Sequence, residues 1–201
     1  VPAHAGSPCS VSANGATATG PAFRLAAKPV VTVVGSVSAN TTWSAGTVCV
    51  LRGFVYVSNN ATLTIEPGTI IKGATRDQDP EGQNRGGTLI VEQGAKLIAQ
   101  GTADKPIVFT SSKAPGQRTY GDWGGVVLIG KAPHNRPGSQ QPEGGIRGQL
   151  GTFTDENDKS GILKYVRIEF GGIALTSSAN SEINGLTLYG VGRGTTIDHV
   201  Q

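Results

Sequence analysis

Short apolar runs alternate with polar residues along most of the chain, and glycine or proline punctuates these runs. The run TLTIEPGTII at residues 62–71 contains an alternating strand, a Glu-Pro-Gly turn and a second strand. The run TLIVEQGAKLI at residues 88–98 repeats this plan, and the two copies are followed by Gly73 and Gly101. Repetition at intervals of about 20–50 residues is typical of solenoid proteins. The pattern therefore predicts short strands and turns in a repeated order.

Further strands are predicted to start near residues 126, 163 and 185, so that successive coils would begin near 62, 88, 126, 163 and 185. The uneven spacing predicts loops inserted between coils, at 74–87 and 131–160. A β-sandwich would also contain many short strands, but its hairpins rarely repeat a sequence template. The pattern thus favours an all-β parallel β-helix, in which each coil pairs with its neighbours and inward aliphatic residues stack.

The first 46 residues differ from the rest of the chain. Residues 1–29 are rich in Ala, Gly, Ser and Pro, and a strand is predicted at 30–34. The first coil of a solenoid exposes an apolar end and a strand edge. We therefore predict a leader and cap over 1–46 and the β-helix over 47–201. A disulfide between Cys9 and Cys49 would fasten this cap, although two free thiols are the alternative.

Composition narrows the function classes. The formal charge of +3 is spread over both signs, and no basic run is interleaved with aromatic residues, so nucleic-acid binding is not expected. No run approaches the roughly 18 apolar residues of a membrane span. The chain starts at Val1 and contains no Met, which favours a processed, exported protein at the cell surface or outside the cell.

Three motifs together resemble a known family. They are the TLTIEPGTIIKG turn, the GDWGG run at 121–125 and the LKYVRIEFGG run at 163–172. Over about residues 47–201 the chain resembles exported bacterial right-handed parallel β-helix proteins, of a type common in Bacteroidetes. The resemblance implies a right-handed β-helix and an extracellular location. It carries over no catalytic residue, because we know no dependable catalytic motif in the family.

Two acidic loops are candidate calcium sites, because carboxylate and amide oxygens are the ligands that Ca²⁺ prefers. The first contains Asp77, Asp79 and Glu81 at alternate positions, and the second contains Asp155, Asn157 and Asp158. Neither loop matches the EF-hand pattern. Solvated acidic loops are the commoner explanation for such clusters.

No catalytic constellation is evident in the sequence. Arg167 and Glu169 lie two residues apart on one predicted strand, where an exposed ion pair is the simplest interpretation. Trp43 and Trp123 are expected to be packing anchors, and the 131–160 loop is expected to pack along the helix or against another subunit. The favoured function is therefore a structural or adhesive module, with copies that stack head to tail into a filament. The alternative is a carbohydrate-binding or polysaccharide-degrading β-helix.

Overall fold

The computed structural model describes residues 10–13, 16–19, 27–135, 142–146, 150–175 and 181–201, with backbone alone for the first two segments. In this part of the chain the strands are β1 (Ser10–Ala13), β2 (Ala16–Thr19), β3 (Val30–Val37), β4 (Thr41–Trp43), β5 (Val48–Val57), β6 (Thr62–Ile65), β7 (Ile70–Gly73), β8 (Thr88–Val91), β9 (Lys96–Gln100), β10 (Ile107–Ser111), β11 (Val126–Ile129), β12 (Gly161–Ile168), β13 (Ile173–Ala174), β14 (Glu182–Ile183), β15 (Leu186–Tyr189) and β16 (Thr196–Val200). A short 3-10 helix covers Arg76–Gln78.

Parallel pairing arranges these strands in three stacked faces. Face A consists of the first half of β3, the first half of β5, β7, β10 and the end of β12. Face B consists of the end of β3, the second half of β5, β8, β11 and β15. Face C consists of β4, β6, β9, the start of β12 and most of β16. The chain visits A, B and C in turn, which confirms the predicted parallel β-helix.

Parallel pairing begins at Val30, which pairs with Val48. The segment predicted as leader and cap therefore contains β3 and β4, the strands of the first coil. Antiparallel pairs also occur, between β1 and β2 and between β13 and β14. The proposed cap itself stays a prediction, since most of residues 1–26 lie outside the described range.

The register predicted from the repeated motif is wrong. The first copy spans β6 and β7, which belong to faces C and A, while the second spans β8 and β9, which belong to faces B and C. Leu63 therefore pairs with Leu97 rather than with Leu89. The two copies share a strand-turn-strand plan because both turn a corner, but they turn different corners.

Alternating side chains fill the interior of the coil. In β6, Leu63 and Ile65 are buried while their threonine neighbours are half-buried, as expected for a strand with one face in the core. Trp123 is fully buried and stacks on Phe109, with ring centroids 6.5 Å apart. A Cβ atom at Gly73 would lie 2.4 Å from the indole, so glycine is required at that position. Trp43 is also buried. The interpretation of both tryptophans as packing anchors is confirmed.

A second apolar cluster covers the outside of face B. Strands β8 and β11 are buried on both sides, which explains their uninterrupted apolar sequences TLIV and VVLI. The cluster contains Phe54, Tyr56, Ile90, Val127, Ile129, Ile146, Ile173, Ile183 and Tyr189, with Leu150 and Phe153 packed against it. Ile146, Leu150 and Phe153 come from the 131–160 loop. The described part of that loop therefore packs along the β-helix, which was one of the two predicted alternatives.

Candidate functional site

An open cleft of about 550 Å³ lies between two loops that leave the ends of face A strands. The first loop, residues 74–87, follows β7, and the second, residues 112–125, follows β10. Because β7 and β10 pair directly, their loops emerge side by side. The cleft is therefore built by two adjacent coils on a rigid base.

The carboxylate of Asp79 accepts the hydrogen bonds that hold the first loop in shape. Its Oδ1 accepts from the backbone N–H of Glu81 at 3.0 Å, and its Oδ2 accepts from the N–H of Arg85 at 3.0 Å. The Arg52 Nε group donates to the Gln78 carbonyl at 2.8 Å and ties the 3-10 helix to β5. Such local side-chain bonds to the backbone replace secondary structure in a loop. The loop then places Arg76, Asp77, Gln78 and Asn84 along the cleft.

The buried carboxylate of Asp122 organises the second loop. It accepts from Ser111 Oγ at 2.7 Å, from the Thr119 N–H at 3.0 Å and from Lys113 Nζ at 2.6 Å. Asp122 is only 4% exposed. Burial raises the pKa of Asp122, but the bonds from Lys113, Ser111 and Thr119 outweigh it, so the pKa lies below its ordinary value. Asp122 is thus held as a carboxylate at neutral pH.

A polar network continues from this loop across the outside of face A. Arg118 Nε donates to the Lys113 carbonyl at 3.0 Å, which fixes the loop beyond the ion pair. Thr110 Oγ1 donates to Glu169 Oε2 at 3.0 Å, and Glu169 Oε1 pairs with Arg167 at 2.6 Å. The expected ion pair between Arg167 and Glu169 is therefore present. These bonds connect the second loop to the outer surface of face A.

The second loop carries a strongly exposed aromatic side chain, that of Tyr120. Tyr120 is 88% exposed, and its neighbour Gly121 lines the cleft. Gly121 has a φ of +76°, a conformation that side chains disfavour. The second loop therefore presents a large aromatic ring to solvent, one residue before a residue that lines the cleft.

The predicted calcium ligands take part in local bonds. Asp77 lines the cleft and accepts from Thr75 Oγ1 at 2.5 Å, while Glu81 pairs with Arg85 at 3.2 Å. Asp79 is bonded within its own loop, as described above. The three carboxylates are therefore close in sequence, but each forms its bonds with a different set of neighbouring groups.

The second predicted group is arranged in the same way. Asp155 Oδ1 accepts from the Asn157 N–H at 3.0 Å, and the largely buried Asp158 accepts from Ser160 Oγ at 2.8 Å. Within the described ranges, no three or more His, Cys, Asp and Glu side chains form a group that could hold a metal ion. Calcium binding at either loop stays a prediction.

The predicted disulfide also stays a prediction, because Cys9 lies outside the described residues. Cys49 is buried inside face A and is a free thiol in this structure. Burial raises the pKa of Cys49, partly offset by a hydrogen bond with Thr47. Among the residues described, no helix has the length and apolar character needed to cross a membrane.

Sequence reasoning identified one wall of the cleft but missed the other. The acidic residues of the first loop predict a binding site, whereas the GDWGG run in the 112–125 loop indicates only a family resemblance. The sequence does contain one signal for the second wall, an aspartate beside a tryptophan and three glycines. An aspartate that is buried in such a run needs a polar or charged partner. The partners, Ser111 and Lys113, precede it by about ten residues, so only the folded loop brings them together.

The comparisons with known proteins agree with the architecture. A family model described as a pectate-lyase-like β-helix domain matches residues 35–201. No curated protein and no solved structure matches the chain.

Proposed function

The chain belongs to the family of pectate-lyase-like β-helix domains, and on that premise we propose that it is an extracellular polysaccharide-binding module. The β-helix would serve as a rigid scaffold, and a stretch of sugar chain would lie in the cleft between the 74–87 and 112–125 loops. An adhesive role follows directly, because a surface protein that holds polysaccharide attaches its bearer to it. Fold alone does not establish this function; the argument rests on the cleft.

One observation carries the proposal: a polar cleft, one of whose loops exposes the Tyr120 ring one residue before the lining residue Gly121. Arg76, Gln78, Asn84 and Lys113 supply guanidinium, amide and ammonium donors, which suit the hydroxyl groups of sugars. Tyr120 supplies a flat apolar face, which suits the C–H face of a pyranose ring. Tyrosine is also prominent among the residues that dominate binding energies.

Binding without cleavage is the form of the function that the cleft supports best. A glycosidase needs one carboxylic acid that stays protonated at working pH, beside a second carboxylate. The pKa of Asp122 is instead lowered, and its oxygens already accept three bonds. Asp77, the other carboxylate of the cleft, is exposed and bonded to Thr75.

The test is a screen of the purified protein against neutral and acidic polysaccharides. Retention in affinity electrophoresis without new reducing ends or unsaturated products supports a binding module. Products of either kind would replace it with an enzyme. Tyr120→Ala should weaken binding about tenfold or more, because roughly 1.4 kcal/mol corresponds to a factor of ten.

Two variants control for the ring and for stability. Tyr120→Phe keeps the aromatic face and should retain most of the binding. Tyr165→Ala removes a tyrosine that stacks on His199 at the corner between faces C and A, away from the cleft. It should leave binding unchanged, and an equal loss in Tyr165→Ala and Tyr120→Ala would contradict the assignment of the cleft.

Head-to-tail stacking into a filament is a second candidate function. Leu188 and Ile197 occupy inner positions, in register with the buried Leu128 and Leu163, yet are 45% and 40% exposed. Such apolar ends favour association with another surface. A second copy or further coils of a longer chain would cover them equally well.

Electron microscopy and light scattering distinguish these two ways of covering the apolar end. Fibres that disappear in a Leu188→Lys, Ile197→Lys double variant support stacking of copies. A monomer at high concentration would exclude it.

A further inference from the structure

The charged groups of the cleft cancel one another. Arg76 and Lys113 contribute the two positive charges, and Asp77 and Asp122 the two negative ones. This balance is unlike that of a site for a polyanion, in which unpaired cations neutralise the ligand. The cleft therefore has no net charge to offer to a chain of uronic acids.

Lys113 is committed to Asp122. Its Nζ atom lies 2.6 Å from Asp122 Oδ1, and the buried carboxylate is fixed by its other donors. A ligand carboxylate that approached Lys113 would stand beside Asp122 and be repelled by it. A ligand hydroxyl would meet no such repulsion and could accept from a remaining ammonium hydrogen.

Arg76 is committed to the backbone. One guanidinium nitrogen donates to the carbonyl of Ala174 in β13, far away in the sequence. This bond fixes the orientation of the Arg76 guanidinium. The next residue, Asp77, places a carboxylate in the same cleft. A bidentate grip on a ligand carboxylate would need the guanidinium to turn away from Ala174. Its other N–H groups can still donate to hydroxyl oxygens.

The remaining polar groups are uncharged. Gln78, Asn84 and Ser112 offer amides and a hydroxyl, which donate to and accept from sugar hydroxyls. Arg118 lies outside the lining of the cleft and keeps its positive charge, and its guanidinium already donates to the Lys113 carbonyl and to Thr110 Oγ1. Hydrogen bonding and stacking on Tyr120 are what this cleft provides.

We infer that the cleft selects uncharged polysaccharides and discriminates against polyuronates, with Asp77 as a specificity-determining residue. This inference rests on the proposed function. It assigns a substrate class that differs from the acidic polymer in the name of the family.

The experiment uses pairs of polymers that share a backbone and differ in the charge of their substituents. One pair is galacturonan with its carboxyl groups methyl-esterified and the same galacturonan de-esterified. A second pair is hydroxyethyl cellulose and carboxymethyl cellulose. Affinity electrophoresis and isothermal titration calorimetry measure both pairs at low and at physiological salt. We expect the uncharged member of any pair that binds to bind at least about tenfold more tightly, with little salt dependence.

The outcomes separate the two proposals. If no polymer of either pair or of the wider screen is retained, the proposed function fails and this inference fails with it. If a charged member binds as tightly as its uncharged partner or more tightly, the inference is wrong while polysaccharide binding stands. Tyr120→Ala should weaken both members of a pair equally and leave their ratio unchanged.

A variant of Asp77 tests its assigned role. Asp77→Asn keeps the oxygen that accepts from Thr75 but raises the charge of the cleft by one. It should strengthen binding of the charged member relative to the uncharged member about threefold to tenfold at low salt, an effect that salt removes. Asp77→Glu keeps the charge and should keep the selectivity of the natural protein. An unchanged ratio in Asp77→Asn would overturn the role of Asp77.

Discussion

The outsides of faces A and B differ although both faces cover the same interior. Face A carries polar and charged residues outside, such as Lys72, Thr110 and Arg167, and its loops leave a cleft open. Face B carries Phe54, Ile90, Val127 and Ile129 outside, and loops cover them completely. The inward residues therefore specify the β-helix. The outward residues determine whether a loop packs against the face or leaves the face open to a ligand.

A truncation in the interior that the faces share should cause the largest loss of folding stability. Trp123→Ala would remove a fully buried indole and its stacking on Phe109, which costs about 3–5 kcal/mol for such a truncation. Urea unfolding followed by circular dichroism measures the free energy of unfolding. The neighbouring Tyr120→Ala should change it by less than about 0.5 kcal/mol, because the ring is exposed. Equal losses would mean that Tyr120 is structural.

Isoleucine truncations on the two outer surfaces test the comparison directly. Ile90→Ala on face B should cost about 2–4 kcal/mol, because the side chain is completely buried under loops. Ile70→Ala on face A should cost about 1 kcal/mol or less, because the side chain is only half-buried. Both values come from the same urea titration. Similar losses at the two sites would remove the distinction between the faces.

The buried ion pair of the cleft should give a pH-dependent effect. The pKa of Asp122 is lowered in the folded protein, so its contribution to stability is present at neutral pH and is lost as pH falls below about 4. Asp122→Asn should lower the free energy of unfolding by about 1–3 kcal/mol at pH 7, and the deficit should shrink in acid.

The measurement is a series of urea titrations between pH 7 and pH 2. Asp104→Asn, at an exposed site, should follow the natural protein throughout. A deficit for Asp122→Asn that stayed constant down to pH 2 would contradict the linkage.

The smallest effect is expected for an exposed ion pair near the covered face. Arg193 and Glu156 lie 2.8 Å apart, and both side chains are mostly exposed. Arg193→Ala should therefore change the melting temperature little, by an amount equivalent to less than about 1 kcal/mol. A larger loss would show that this pair, rather than apolar packing, fastens the 131–160 loop.

The class of fold was predictable because it depends on local signals. Alternation in β6 and the Glu-x-Gly corners report directly on strands and turns. Which strands pair was not predictable from the same signals. The motif at 62–71 turns the corner from face C to face A, its copy at 88–98 turns the corner from face B to face C, and the 74–87 loop forms the corner between them. Only packing inside the coil sets that register.

The strand at 163–170 illustrates the same difference. Alternation in LKYVRIEF predicts one continuous strand, in which Tyr165 and Val166 compete for the interior. In the structure Tyr165 has a φ of +48°, so the chain turns a corner and Leu163 and Val166 are both inward. The alternation restarts after the corner, and sequence alone does not mark a corner at a tyrosine.

The cleft was less predictable than the coil. Its first wall was visible as an acidic loop, but the pairing of Lys113 with Asp122 and the bond from Arg76 to Ala174 join residues distant in sequence. Long-range contacts of this kind depend on which coils are adjacent. A wrong register therefore hides a site even when the fold class is right.

The position of Trp123 gives the molecule a built-in optical reporter. Its indole is sealed in the interior and its Nε1 donates to the Glu169 carbonyl, while the adjacent Asp122 lines the cleft. Trp43 is buried one corner away, on face C. Light absorbed by Tyr120 at the rim can be transferred to the nearby indole. A sugar ring resting on Tyr120 would change the tyrosine-excited emission, and the Tyr120→Phe variant would identify the part that this ring contributes among the four tyrosines.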